Sequence, residues 1–160
     1  MRTWFKLVGV TKGPVPDSWT EDESSLFEVM RFPKHRPPRD ISDHERLIGY
    51  AVEKGKVFLV QTRAGGIRIQ PPYGPKGSVT YRWPNEMDVE THAWVPNLKN
   101  APELKAVLPD FMDKYRKKFW RGSHWLIDDA EYDALEAAVI AAGKGKKAPM
   151  PPRRLPQRSI

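Results

Sequence analysis

The sequence predicts an α+β domain: a small, mostly antiparallel β-barrel flanked by short helices. Three observations carry that expectation. Short runs of alternating or continuous apolar residues recur between residues 3 and 95. Glycine and proline punctuate them at short intervals, which favours antiparallel neighbours. Helical spacing is confined to the margins. At 160 residues the chain is of single-domain size and can bury a core without metals or disulfides.

Residues 2–10 alternate Thr3, Phe5 and Leu7 against Trp4, Lys6 and Val8, as a first strand does. Two prolines and a glycine make residues 11–19 a loop. Thr20 with Glu23 forms a capping-box pattern, and Leu26, Phe27 and Met30 supply an apolar stripe, so a short helix is expected to end near Arg31. Three prolines exclude helix from residues 32–40, a rigid basic loop of the kind that carries binding groups. Residues 47–52 and 57–62 read as a hairpin around the turn at 53–56. Gly65-Gly66 is expected to break the pattern, with short strands at 67–69, 79–83 and 87–95. Residues 98–117 are helical in character, interrupted by Pro102 and Pro109, and residues 114–127 read as the last strand. Asp128 with Glu131 caps a final helix whose face is Tyr132, Leu135 and Val139, stopping at Gly143.

The net charge of +7 is unevenly placed. Residues 143–160 carry six cations and no acid, which leaves residues 1–142 at +1. The expected organisation is therefore one domain over residues 1–142 and a basic, Pro-rich, disordered tail over 143–160. Cysteine is absent, which removes disulfides, thiolate metal sites and a cysteine nucleophile. His35, His44, His92 and His124 are scattered without ligand spacing, so neither a metal nor a cofactor is expected. No phosphate-cradling glycine loop or nucleophile elbow is present. Arg2 and Lys6 interrupt the N-terminal apolar run, and no stretch approaches membrane-spanning length, so no membrane partner is expected and a cytoplasmic protein is.

Residues 114–127 stand out, with five cations and four aromatic rings in fourteen positions. Read as a strand, this stretch puts Phe119, Arg121, Ser123 and Trp125 on one face and Lys118, Trp120, Gly122 and His124 on the other. Cations meet phosphate while a flat ring stacks on a base, which suits single-stranded or flipped-out nucleotides. A core strand edged with solvated charge fits the same residues. Six tryptophans exceed what a small barrel core usually takes. Trp4, Tyr50, Trp120 and Trp125 come from strands expected to be neighbours, and together they could line a cavity for a base.

An opening strand with Thr3-Trp4-Phe5, a hairpin strand carrying Tyr50, a Pro-containing short helix at 101–104, and residues 116–127 followed by Asp129-Ala130-Glu131-Tyr132-Asp133-Ala134-Leu135 together resemble the EVE domain family of the PUA-like superfamily. The resemblance spans most of residues 1–142. It implies a barrel with an aromatic-lined pocket for a modified base in DNA or RNA, as in the related YTH modules. It also implies Arg121, Gly122 and Ser123 at the pocket rim, with Trp4 and Tyr50 from the first and second strands. The family commonly has a Gly-Val-Arg-Asn-like segment ahead of the second strand, where this chain has its Pro-rich residues 32–40.

Together these readings lead to a nonenzymatic nucleic-acid reader. Trp120 or Trp125 would stack, Arg121 would contact phosphate, and Lys117, Lys118, Arg36 and Arg39 would widen the basic rim. Two alternatives remain: a small enzyme acting on a nucleotide through Asp40, Asp43, His44 and Glu45, a cluster that also reads as a turn cap, and an interaction module using the tail.

Overall fold

A computed structural model describes residues 1–9, 27–69 and 83–143. Six strands form one sheet: β1 (Thr3–Val8), β2 (Val29–Phe32), β3 (Arg46–Ala51), β4 (Lys56–Ile69), β5 (Asn85–Trp94) and β6 (His124–Ile127). Between β5 and β6 lie a 3-10 turn (Leu98–Asn100) and three short helices, α1 (Leu104–Val107), α2 (Phe111–Lys114) and α3 (Arg116–Arg121); α4 (Asp129–Ala142) closes the described chain. The sheet order is β2-β5-β4-β3-β1-β6, antiparallel except for the parallel pair β1 and β3. This is the expected α+β class, with a curled sheet that stops short of a closed barrel.

Register fixes two faces. Paired residues point the same way and neighbours along a strand point oppositely. Phe5 pairs with Ile48 and Trp125, and Leu7 with Tyr50, so these side chains share the outer face. The helices cover it. Phe111 and Phe119 approach Phe5 with ring centroids 4.8 and 5.7 Å away, and the Arg46 guanidinium lies 4.2 Å over the buried Tyr132 ring of α4. Trp4, Lys6, Leu47 and Leu59 occupy the opposite face, inside the curl, where Leu59 fills the space beside Gly49: a Cβ there would lie 2.9 Å from the Leu59 Cβ.

The first strand, the hairpin, β5 and the last helix form as the patterns dictate. The hairpin turn uses left-handed backbone at Glu53 and Gly55, φ 71° and 70°. Asp128 and Glu131 make the reciprocal capping box, and Tyr132, Leu135 and Val139 are buried.

Three expectations are corrected. Met30 and Arg31 belong to β2 rather than to the end of a helix, because pairing with Met87 and Glu86 of β5 buries Val29, Met30 and Phe32; the capping-box residues Thr20 and Glu23 lie outside the described residues. Gly65-Gly66 does not end a strand. β4 runs through it with a shift in register between Arg63 and Ile67, and the missing Cβ of Gly65 lets the chain pass Asp88, whose Cβ would otherwise be 3.1 Å away. The expected strand at 79–83 lies outside the described residues except for Trp83, which precedes β5.

The third correction concerns residues 114–127, where Lys114 ends α2. Residues 116–121 form α3, and only His124–Ile127 is strand. Phe111, Tyr115 and Phe119 recur every four residues, the spacing of one helix face, and turn back onto the core; the Phe111 and Tyr115 rings are 4.7 Å apart. Gly122 ends this helix. A Cβ there would meet the Lys118 carbonyl oxygen at 2.6 Å and the Trp125 ring at 3.2 Å, so α3 turns into β6 only without a side chain.

Candidate functional site

The edge strands β2 and β6 lie at opposite ends of the sheet order, yet the curl brings them together. Phe32 of β2 meets His124 of β6 edge-on, ring centroids 5.0 Å apart. Lys6 of β1 places its Nζ 4.8 Å from the Phe32 centroid, and the Trp4 ring is 5.5 Å from that of His124. Three rings and one amine therefore meet in the seam where the two sheet edges stay unpaired.

The seam is polar for so buried a place. Lys6 is only 3% exposed and finds one hydrogen-bond acceptor, the carbonyl oxygen of Leu7. Burial with no carboxylate partner lowers its pKa to about 7. The His124 side chain is 5% exposed. Its Nε2 lies 2.8 Å from Asp40 Oδ1, while Nδ1 is buried without a partner. Burial lowers the His124 pKa, and Lys6 and Arg36 add to the shift, outweighing Asp40, so the ring is held neutral.

Beside this cluster Glu45 is buried under four hydrogen bonds. Its Oε2 takes the Arg2 Nε at 2.7 Å; its Oε1 takes a second Arg2 nitrogen at 3.0 Å, the Ser42 N–H at 2.7 Å and the Trp4 indole N–H at 3.2 Å. Burial raises the carboxyl pKa, but these donors together pull it below its ordinary 4.5. Glu45 thus fixes the Trp4 ring and ties residues 42–45 to β1. Its depressed pKa contributes stability at neutral pH that is lost as pH falls through the folded-state value. Glu45→Ala, which leaves the Ser42 and Trp4 donors unpaired, is expected to cost about 2 kcal/mol in urea unfolding at neutral pH. That loss should shrink in acid.

The expected rim residues divide. Arg36, in the loop at 33–40, donates to the Arg121 carbonyl oxygen at 3.4 Å, which sets this loop against the end of α3 at the seam; Arg39 is exposed on the same loop. Lys117, Lys118 and Arg121 are exposed and have no ion pair among the described residues, and positions four and three before Arg121 lie on its side of the helix. Lys114 and Arg116 are held by Asp128 and Asp113, at 2.7 and 2.9 Å. Trp120 is 87% exposed. Gly122 closes the turn, and Ser123 is buried, its carbonyl accepting from the Leu7 N–H at 2.9 Å.

The four rings expected in one cavity do not converge. Trp4 faces the seam. Tyr50 and Trp125 face outward and pack on Phe5, at 5.5 and 5.0 Å, beneath the helices, while Trp120 stands clear of both. The outer face does hold a groove of about 480 Å³ floored by Leu7, Tyr50 and Phe119. Its rim alternates Glu53 and Glu103 with Lys54 and Lys105, a mixed sign that does not suit a polyanion. The acid cluster at 40–45 is distributed over structural partners: Asp40 to His124, Asp43 to Arg63 at 3.4 Å and Glu45 to Arg2. Lys6, Phe32 and His124 were not singled out from the sequence, although a lone lysine at the centre of Thr3–Val8 is a signal that could have marked β1.

Among the described residues no helix is long and apolar enough to cross a membrane, and no three His, Asp or Glu side chains are grouped to hold a metal ion.

A curled six-stranded sheet with helices packed on one face and two edge strands meeting in a seam is the α+β architecture expected from the sequence. Among solved structures the chain superposes on protein Atu2648 from Agrobacterium tumefaciens at TM-score 0.50 and 15% identity, covering 86% of this chain and 93% of that one. A hypothetical protein from Leishmania major gives TM-score 0.50 and 12% identity, with 88% and 96% covered. The human THYN1 protein, in a complex with 5-methylcytosine-containing DNA, gives 0.47 and 11%, with 93% and 100% covered. At such identities the first two establish the fold alone, and the third superposes too loosely to bear on the argument. No protein-family model matches the sequence, and no curated protein is recognisably similar to it.

Proposed function

We propose that this chain is a nonenzymatic nucleic-acid-binding module that takes an unstacked base, modified or not, into the seam between β2 and β6. The observation that carries the reading is the junction of two chemistries. A seam lined by Trp4, Phe32 and His124 adjoins a rim that holds Arg36, Arg121, Lys117 and Lys118, in a body otherwise close to neutral. The cations meet the phosphates, Trp120 offers an exposed ring to a flanking base, and the seam receives the base itself. Tyr50, Trp125, Gly122 and Ser123 support these groups from beneath, and Arg39 extends the rim. The catalytic alternative gains nothing from the acid cluster, whose carboxylates are spread over separate partners: Asp40 on His124, Asp43 on Arg63 and Glu45 on Arg2.

Fluorescence anisotropy with short single-stranded DNA and RNA, carrying modified and unmodified bases, tests the reading. Binding at low ionic strength should weaken linearly in log–log salt plots. Replacing Arg36, Lys117, Lys118 and Arg121 together by Gln should reduce the slope by about 3, following the ~0.7 per phosphate typical of single strands. Absence of binding at low salt, or an unchanged slope in the variant, rejects the reading.

A further inference from the structure

The polar atoms of the seam have defined hydrogen-bond polarity. Asp40 Oδ1 lies 2.8 Å from His124 Nε2, and a carboxylate only accepts, so the proton sits on Nε2. The neutral ring then presents Nδ1 as a bare lone pair. That atom is buried and has no hydrogen-bond partner among the described residues. Across the ladder Lys6 is the register partner of His124, its side chain on the same face. The Lys6 amine donates whether charged or neutral, and both groups lie against the same Phe32 ring. One acceptor, Nδ1 of His124, and one donor, Nζ of Lys6, thus belong to register partners on one face of the sheet that pack against the same Phe32 ring. That is a complement for the edge of a flat heterocycle, and not for a phosphate or a purely apolar group.

We infer that Lys6 and His124 read the hydrogen-bond polarity of an unpaired base's edge, with Asp40 acting as a positioning residue that sets the His124 tautomer. The inference rests on the reader function proposed above. Cytosine and uracil have the same shape but opposite polarity at their 4-position and ring N3: an amine beside a lone pair in one, a carbonyl beside an N–H in the other. Adenine and hypoxanthine are related in the same way at position 6 and N1. A site that senses only stacking or size treats the members of each pair alike. A site with a fixed acceptor and a fixed donor does not.

The test uses the full chain and oligonucleotides identical except for one central residue, cytosine against uracil and adenine against hypoxanthine, at one ionic strength. The expected result is a difference of about tenfold within at least one pair, the scale of a well-placed bidentate contact. Asp40→Asn, at a half-exposed side chain, can donate to Nε2 and so move the ring proton to Nδ1; the difference should shrink to nothing or change sign, with the salt slope intact. Nitrogen-15 spectra of the free wild-type protein should show His124 protonated at Nε2 alone. Equal affinities within both pairs overturn the inference while leaving the reader function standing, as does a preference that Asp40→Asn leaves unaltered. Failure to bind any of the oligonucleotides overturns both. The base series and the spectrum use the wild-type protein, so the inference can be overturned even where Asp40→Asn does not fold.

Discussion

Replacing Phe5 by alanine is expected to destabilise the fold by about 4 kcal/mol, the scale of phenylalanine truncation in a well-packed core. Phe5 is fully buried, and its ring touches those of Tyr50, Phe111, Phe119 and Trp125. These come from β3, α2, α3 and β6, so one side chain joins the sheet to the helices that follow β5. Each aromatic pair adds roughly 0.5–1.5 kcal/mol beyond area burial, and the surrounding rings are too rigid to fill the void. Thermal unfolding should fall by roughly 10 °C. The internal comparison is Trp120→Ala: that ring is almost wholly exposed, so its loss should change stability by no more than about 0.5 kcal/mol. It should instead weaken oligonucleotide binding. Equal destabilisation by the two variants would contradict the outer-face core.

Lys6→Met should stabilise the protein, and by an amount that depends on pH. Burial pulls the Lys6 pKa from 10.5 to about 7. Between those values the unfolded chain holds a proton that the folded protein has released, so the stability of the wild type rises with pH through that window. Below it the fold carries the full cost of a buried charge. Methionine nearly matches the volume of the aliphatic stem and carries no charge. The gain from Lys6→Met should therefore be largest below pH 7 and decline by about 4 kcal/mol toward pH 10. Urea unfolding of both proteins across this range measures it, and a gain independent of pH would show that the amine is solvated or paired.

The fold class was legible because its signals are local. Alternation in Thr3–Val8, the hairpin around Gly55, and the capping box at Asp128 with Glu131 each depend on a few adjacent residues, and each formed as read. Residues 116–121 were misread because Arg, Lys and aromatic residues are compatible with either period over a short window. The decisive spacing, Phe111 to Tyr115 to Phe119, began before the stretch being read. The misreading of Met30 and Arg31 has a different origin. Four residues at a sheet edge take their conformation from the β5 strand beside them, and no local pattern encodes that partner.

The same division holds for the site. Sequence by itself singled out the run of cations and rings at 114–127, because clustering along the chain is legible without a fold, and it named Trp4, Arg36 and Arg121, which the fold places at or beside the seam. It also grouped Tyr50 and Trp125 with Trp4. That grouping depends on which residues are cross-strand partners: the register of β1 with β3 and β6 puts Phe5, Tyr50 and Trp125 on one face and Trp4 with Lys6 on the other. Only the tertiary structure decided that the two edge strands, first and last in the sheet order, curl until Phe32 touches His124. Hydrophobic alternation specifies which face of a strand is buried. It does not specify how far a sheet twists before its edges meet, and here that meeting places a buried amine and an unpartnered imidazole nitrogen beside the exposed cations of α3.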